Sequence, residues 1–436
     1  MKSLSTINRK ILALALPAIA SNITVPLLGL CDTAVTGHLG SEAYIAAIAA
    51  GGMMLNVVFW VFGFLRMGTT GLTAEAHGAA DPKRISCVFS RAVILALVAG
   101  LLIVAVRQPM SRLLLGVIGA DADVTPLAAR YFAICIWGAP ALLVTLTING
   151  WFIGMQNTVW PMAVSIAVNV VNVACSLTAV YALGMGFEGV AYGTLTANWT
   201  GLCLAVVAVL RYSRGMRLWS GWRMLWRGDE LRKFFGVSTD LFFRSSCIML
   251  VTLAVTSYGA RLGALTLAVN AVMMQFFVMF SYFMDGLAFS GEVLCGNGSG
   301  ASDRAATLLA VKALIRWGAG VVVVFTALYW LFLPAVVSLL TDVAEVRDGV
   351  SNMRHFVRLI PVISVAAFLF DGFFIGLTAT RRMLVTTFAA AIVFFGIIWL
   401  GPSANSTLWT AFLAYLLTRG LGLAAQMKTI LDKRFA

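Results

Sequence analysis

Six acidic side chains stand inside, or at the ends of, long apolar runs of the chain. Asp32 lies within LLGLCDTAVTGHLG and has no basic residue within a helical turn. Asp371 opens the hexapeptide DGFFIG, and Asp285 sits in YFMDGLAF. Asp240 precedes Arg244 by four residues, a spacing that puts both on one face of a helix and predicts an ion pair. Glu75 and Glu292 fall near the ends of their runs, where capping or pairing with basic loops explains them. A carboxylate near the centre of a bilayer costs roughly 2.5–3.5 kcal/mol, so each such acid needs a reason. Burial in a low-dielectric cleft disfavours the anion, which lets a lone carboxyl take up and give up protons near neutral pH. Gaining or losing that charge changes which helix packing is cheapest. Pro17 and Pro26 belong to the same run as Asp32, and each removes a backbone hydrogen bond and permits a bend. A hinge coupled to a protonatable Asp32 is a switch.

Neutral polar groups complete the candidate site. Asn169, Asn172 and Ser176 recur at i, i+3 and i+7 in one apolar run, and Thr194 lies in the next. The same residues also serve as hydrogen-bonding glue between membrane helices. The chemistry that these groups offer is ion coupling, by Asp32, Asn172, Ser176, Thr194, Asp240 and Asp371. Binding of an organic substrate would fall to Asp32, Asn169, Asp285 and Asp371. The seven cysteines and three histidines lack ligand spacing, so neither a metal nor an organic cofactor is expected. A coupling ion, H+ or Na+, takes that place.

The elements that must position these residues are membrane helices. Of the 436 residues 61% are hydrophobic and only 11% charged, against roughly 25% charged in soluble domains. Twelve apolar runs are each long enough to span a bilayer, with approximate cores at 12–36, 44–71, 88–107, 130–152, 160–183, 188–210, 234–258, 264–290, 308–333, 356–378, 384–401 and 407–427. The first run passes well beyond the signal-peptide-like Ala18-Ile19-Ala20 and is read as an uncleaved helix. The net charge of +13 is concentrated in alternate loops. Lys83 and Arg84, the stretch from Arg211 to Lys233, Arg304, Lys312, Arg381 and Arg382 all fall on the side that also holds the basic C-terminal tail. That bias puts both termini in the cytoplasm and leaves no case for nucleic-acid binding. In the stretch from Arg211 to Lys233, Trp219, Trp222 and Trp226 recur at helical spacing, as in a helix lying on the membrane surface or in a basic linker.

The chain is duplicated. NGWFIG at 149–154 returns as DGFFIG 222 positions later, and GAAD at 78–81 returns as GASD at the same offset. Leu39-Gly40 and Pro140 recur, at nearly that offset, as Leu262-Gly263 and Pro361. Six helices per half is an even number, so the halves share one orientation, related by a pseudo-two-fold axis along the membrane normal. The expected organisation is a six-helix lobe over 1–210, a basic linker over 211–233 and a second six-helix lobe over 234–436. A cleft between lobes and the lack of a phosphate-binding loop suit a secondary transporter. The chain is read as a monomer whose partners are the bilayer and small organic molecules.

VPLLGLCDTAVTGHLG, FLRMGTTGLTAEAHGA, DLFFRS, ARLGALTLAVNAV, MDGLAFSGE and DGFFIG together resemble the multidrug and toxic compound extrusion (MATE) family over essentially the whole chain. The resemblance implies twelve helices in two lobes and export of organic, often cationic, compounds against inward H+ or Na+. It implies that Asp32 is the main coupling residue and Pro17 the bending proline. By the same resemblance Asn172, Thr194, Asp240 and Asp371 occupy the family's polar positions. Related sequences carry a second Asp where this chain has Ser176, which favours H+ over Na+. The runner-up function is a lipid-linked precursor flippase of the same superfamily, which should show a basic cleft. A major-facilitator importer fits the loop HGAADPKRIS poorly, and a membrane enzyme would need a nucleophile–base pair that is absent from the sequence.

Overall fold

The structure, a computed structural model, describes residues 4–37, 42–118, 123–214, 225 and 228–435; of residues 4, 25–37, 42, 117 and 118 it describes the backbone alone. The helices of the first half are α1 (Leu4–Gly37), α2 (Glu42–Val61), α3 (Gly63–Gly78), α4 (Pro82–Ala105), α5 (Arg107–Ile118), α6 (Val124–Cys135), α7 (Ala139–Gly154), α8 (Val159–Leu177) and α9 (Phe187–Tyr212). Those of the second are α10 (Gly228–Arg261), α11 (Ala264–Gly300), α12 (Arg304–Leu331), α13 (Leu333–Leu340), α14 (Ala344–Asn352), α15 (Arg354–Gly376), α16 (Thr380–Leu400) and α17 (Asn405–Arg434).

Among the described residues eleven segments are long and apolar enough to cross a bilayer, with α2 and α3 forming one of them and α6 and α7 another. The 34 residues of α1 supply the twelfth. Each of the twelve apolar runs is therefore helical, those at 44–71 and 130–152 being built from two consecutive helices. The structure adds what hydropathy missed: α5, α13 and α14 are short helices in connections read as loops.

The repeat is visible in the backbone. Among the described residues four non-glycine positions have positive φ: Ala80 (51°), Gln156 (63°), Ser302 (53°) and Thr378 (52°). They form two pairs, each separated by 222 residues. Each ends a helix in a turn that places one residue in the left-handed region and satisfies two orphan carbonyls. The Ala80 and Asp81 amides donate to the His77 and Ala76 carbonyls, as those of Ser302 and Asp303 do to Ser299 and Gly298. Asp81 and Asp303 then cap the next helix, accepting from the Lys83 and Arg84 amides and from the Ala306 amide. This is why GAAD and GASD recur.

The repeated hexapeptide marks a close helix crossing. A Cβ added at Gly150 would lie 2.5 Å from the Arg66 carbonyl oxygen, and one at Gly372 would lie 2.3 Å from that of Ala288. The next glycine of each copy, Gly154 or Gly376, meets Thr70 or Glu292 in the same way. Only glycine allows the backbones this approach. Trp151 and Phe152 in one copy, and Phe373 and Phe374 in the other, are fully buried beside these crossings.

The chain divides into two compact units whose borders differ from the sequence halves. One gathers Met1–Ile19, His77–Ala80 and Phe235–Ala436; the other gathers Ala20–Ala76 and Asp81–Phe234. Helix α1 thus contributes to both, changing unit two residues after Pro17.

Candidate functional site

In the unit built from Ala20–Ala76 and Asp81–Phe234, the sequence-predicted polar residues come together where α8 and α9 meet α1. Asn169 donates from Nδ2 to Thr24 Oγ1 at 2.8 Å, tying α8 to α1. One turn on, Asn172 Nδ2 donates to Thr194 Oγ1 of α9 at 3.2 Å. Ser176 Oγ reaches Asn172 Oδ1 at 3.4 Å, and Thr194 Oγ1 also donates to its own helix at Val190. Asn172 and Ser176 are fully enclosed. Gly193 makes this possible, since a Cβ there would fall 2.1 Å from Ser176 Oγ. After Ser176 the helix widens into a π-turn over Thr178–Ala182, a distortion common at functional positions. Beside it an open cavity of about 410 Å3 is walled by Cys175, Thr178, Tyr192, Gly193 and Thr196.

Asp32 lies eight residues beyond Thr24 on α1, about 12 Å further along the same helix. The side chains of Asp32 and Pro26 lie outside the described residues, as does most of the Trp-rich linker. Pro17 is half-buried within the helix. Arg66, half-buried on α3, belongs to the same unit. Glu75, 4% exposed, accepts from Arg84 at 3.1 Å and from Lys233 at 2.8 Å, which confirms the reading that it pairs with basic loops. Arg91, equally buried, donates from Nε to the Leu225 carbonyl at 2.9 Å and so holds one point of the linker.

The other unit corrects one expected pairing. Asp240 does not pair with Arg244 along the helix. It accepts from Thr380 Oγ1 at 3.0 Å and lies 3.4 Å from Arg381 Nη1, both at the positive N-terminal end of α16. Arg244 points inward instead and donates to Asp371 Oδ2. Arg419 of α17 donates to the same oxygen at 2.7 Å and to Tyr415 Oη at 3.5 Å. Asp371, 7% exposed, therefore ties α10, α15 and α17 together through two guanidiniums. The tertiary partner prevails because a guanidinium buried this deeply needs a carboxylate within reach. Arg419 was missed by the sequence reading. The signal was available: an arginine in the middle of the apolar run YLLTRGLG. Asp285 is half-buried on α11, next to Gly286.

Comparison with known proteins bears on the family and the fold. The MatE family pattern matches residues 17–178 and again 241–400, once in each sequence half. DNA damage-inducible protein F of Escherichia coli (strain K12) is 35% identical over 431 residues, covering 98% of this chain and 93% of that protein. Protein DETOXIFICATION 44, chloroplastic, of Arabidopsis thaliana is 22% identical, covering 95% and 81%. Among solved structures, a MATE crystal structure in the bent conformation superposes with a TM-score of 0.86 at 17% identity, covering 98% of this chain and 96% of that one. The twelve membrane helices, the doubled hexapeptide and the two family matches converge: the chain is a multi-pass membrane transporter of the MatE (MATE) family.

Proposed function

We propose that the chain is a secondary active antiporter that exports organic amphipathic or cationic compounds in exchange for inward H+, with Asp32 as the proton carrier. Its setting would be the bacterial inner membrane with both termini in the cytoplasm, as the charge bias of the loops supports. The observation that carries the reading is the polar face of α8: Asn169 is bonded to Thr24 on the helix that holds Asp32, and one turn on the buried Asn172 and Ser176 are bonded to each other and to Thr194. The five side chains are all neutral and largely bonded to one another. A sodium ion wants several free oxygens and nearby negative charge, whereas a proton needs one carboxyl. Ser176 in place of a second acid therefore favours H+.

Asp240 and Asp371, candidates for coupling on sequence grounds, read better as ties between helices, because each is engaged by basic partners. Asn169 and Asp285 stay candidates for contact with the exported compound. The test is export of a fluorescent organic cation from inverted membrane vesicles under an imposed ΔpH or an imposed Na+ gradient. Wild type should respond to ΔpH, and Asp32→Asn should lose that response while inserting normally. Undiminished export by Asp32→Asn would refute Asp32 as the carrier, and a response to Na+ alone would overturn the choice of ion.

A further inference from the structure

Two arginines stand over tryptophan rings at matching places in the two sequence halves. Arg107 Cζ lies 4.9 Å from the centre of the Trp137 indole, and Arg358 Cζ lies 4.1 Å from that of Trp330. Both distances allow attraction between the cation and the ring face. Trp330 follows Arg107 by 223 positions and Arg358 follows Trp137 by 221, close to the offset of the repeat. The pair is therefore duplicated with its members exchanged. In the first half the cation directly follows α4 and the indole sits in the turn between α6 and α7; in the second the indole is near the end of α12 and the cation is on α15. Each guanidinium also donates to a carbonyl at the end of the earlier helix, Arg107 Nη1 to Val104 at 3.1 Å and Arg358 Nη2 to Trp330 at 3.5 Å.

Three features turn these stacks towards the bilayer. Trp137 and Trp330 are 50% and 58% exposed, as suits rings at the boundary of headgroups and hydrocarbon. Neither arginine has a carboxylate partner among the described residues, so the protein leaves both charges uncompensated. The spans that lead to the stacks carry matching exposed aliphatic residues: Leu101 and Leu102 on α4 return as Val323 and Val324 on α12, 222 positions later. Val323 lies two turns before Trp330 on the same face of α12. The charge bias of the loops puts both stacks at the outer face, where arginine is disfavoured, so a cation kept there twice needs an acceptor. A guanidinium fits a phosphate group, which takes two parallel hydrogen bonds from it.

We propose that the two stacks are equivalent sites for an anionic phospholipid of the outer leaflet. The guanidinium holds the lipid phosphate, the indole holds the guanidinium at headgroup level, and an acyl chain lies along the exposed aliphatic residues. The choice of leaflet rests on the orientation proposed above; the binding does not. A lipid of net negative charge is preferred, because the amine of a zwitterionic headgroup would bring a second cation to an arginine that no carboxylate offsets.

The test is native mass spectrometry of the full-length protein, delipidated and then supplied with dioleoylphosphatidylglycerol in detergent. Wild type should retain two lipids more firmly than the rest. Arg107→Gln and Arg358→Gln should each retain one, which also shows that the variant is folded, and the double variant none. Arg107→Trp combined with Trp137→Arg, which copies the order of the second half, should retain two again. Equal counts for wild type and the double variant would overturn the proposal. Equal retention of dioleoylphosphatidylethanolamine would overturn the preference for negative charge, and release of the lipid by inorganic phosphate would overturn the choice of a lipid. The leaflet is read with the seven native cysteines replaced by alanine and a lone Gln108→Cys. It should react with a membrane-impermeant maleimide on whole cells, and reaction in inverted vesicles alone would overturn the outer leaflet. Neither readout uses export, so failure of the antiporter reading is distinguishable.

Discussion

At the scale of the residue, the two copies of one hexapeptide show how a single substitution changes a role. Asn149 and Asp371 open equivalent helix turns, and the glycines behind them meet equivalent backbones. The Asp differs by recruiting Arg244 and Arg419, both 5% exposed or less. Removing one partner of a buried ion pair strands the others, at a cost of about 3–5 kcal/mol. Asp371→Asn should therefore lower the midpoint of thermal unfolding in detergent markedly. Replacing Arg244, Asp371 and Arg419 together by methionine, leucine and methionine should recover most of it. A wild-type midpoint for Asp371→Asn would show that the carboxylate is not a tie. Sequence showed that these charges needed a reason but not which partner supplied it. The i, i+4 spacing of Asp240 and Arg244 is a local signal worth a few tenths of a kcal/mol, and it loses to Asp371, 127 residues from Arg244, and to Thr380 and Arg381, 140 and 141 residues from Asp240.

At the scale of the element, α8 and α9 carry the proposed coupling cluster through one missing side chain. Gly193 lets α9 approach until Thr194 and Asn172 share a hydrogen bond. Gly193→Ala should force these helices apart and weaken proton-driven export severely, with insertion into the membrane retained; export assayed against membrane-inserted protein checks this, and an unchanged rate would remove the cluster from the mechanism. The shared face of Asn169, Asn172 and Ser176 was legible because their spacing follows the helix period. The π-turn after Ser176 was not, since a widened turn depends on packing against α9 rather than on composition. The helices α5, α13 and α14 escaped for a related reason: runs of 8 to 12 residues are too short for a membrane-span reading.

At the scale of the whole molecule, twelve spans and a duplication could be read from hydropathy and repeated turns, because both are written in local sequence. The exchange of α1 between units could not, because the apolar run gives no hint of which neighbours its two ends choose. It has a consequence for assembly. The second half, expressed alone as residues 228–436, lacks the segment that packs on Gly286, Ser290 and Trp317. It should accumulate poorly in membranes and recover on co-expression with residues 1–227. Membrane yield of each fragment, alone and together, measures this; equal yield of the second half alone would show that α1 is dispensable there.

The central claim is that a proton, carried by Asp32, leaves as the exported compound binds. The most direct measurement is proton release from purified protein in weakly buffered detergent, followed with a pH indicator as an exported dye is added. Wild type should release protons in proportion to dye bound, and Asp32→Asn should bind dye without releasing any. Equal proton release from both proteins would contradict the account.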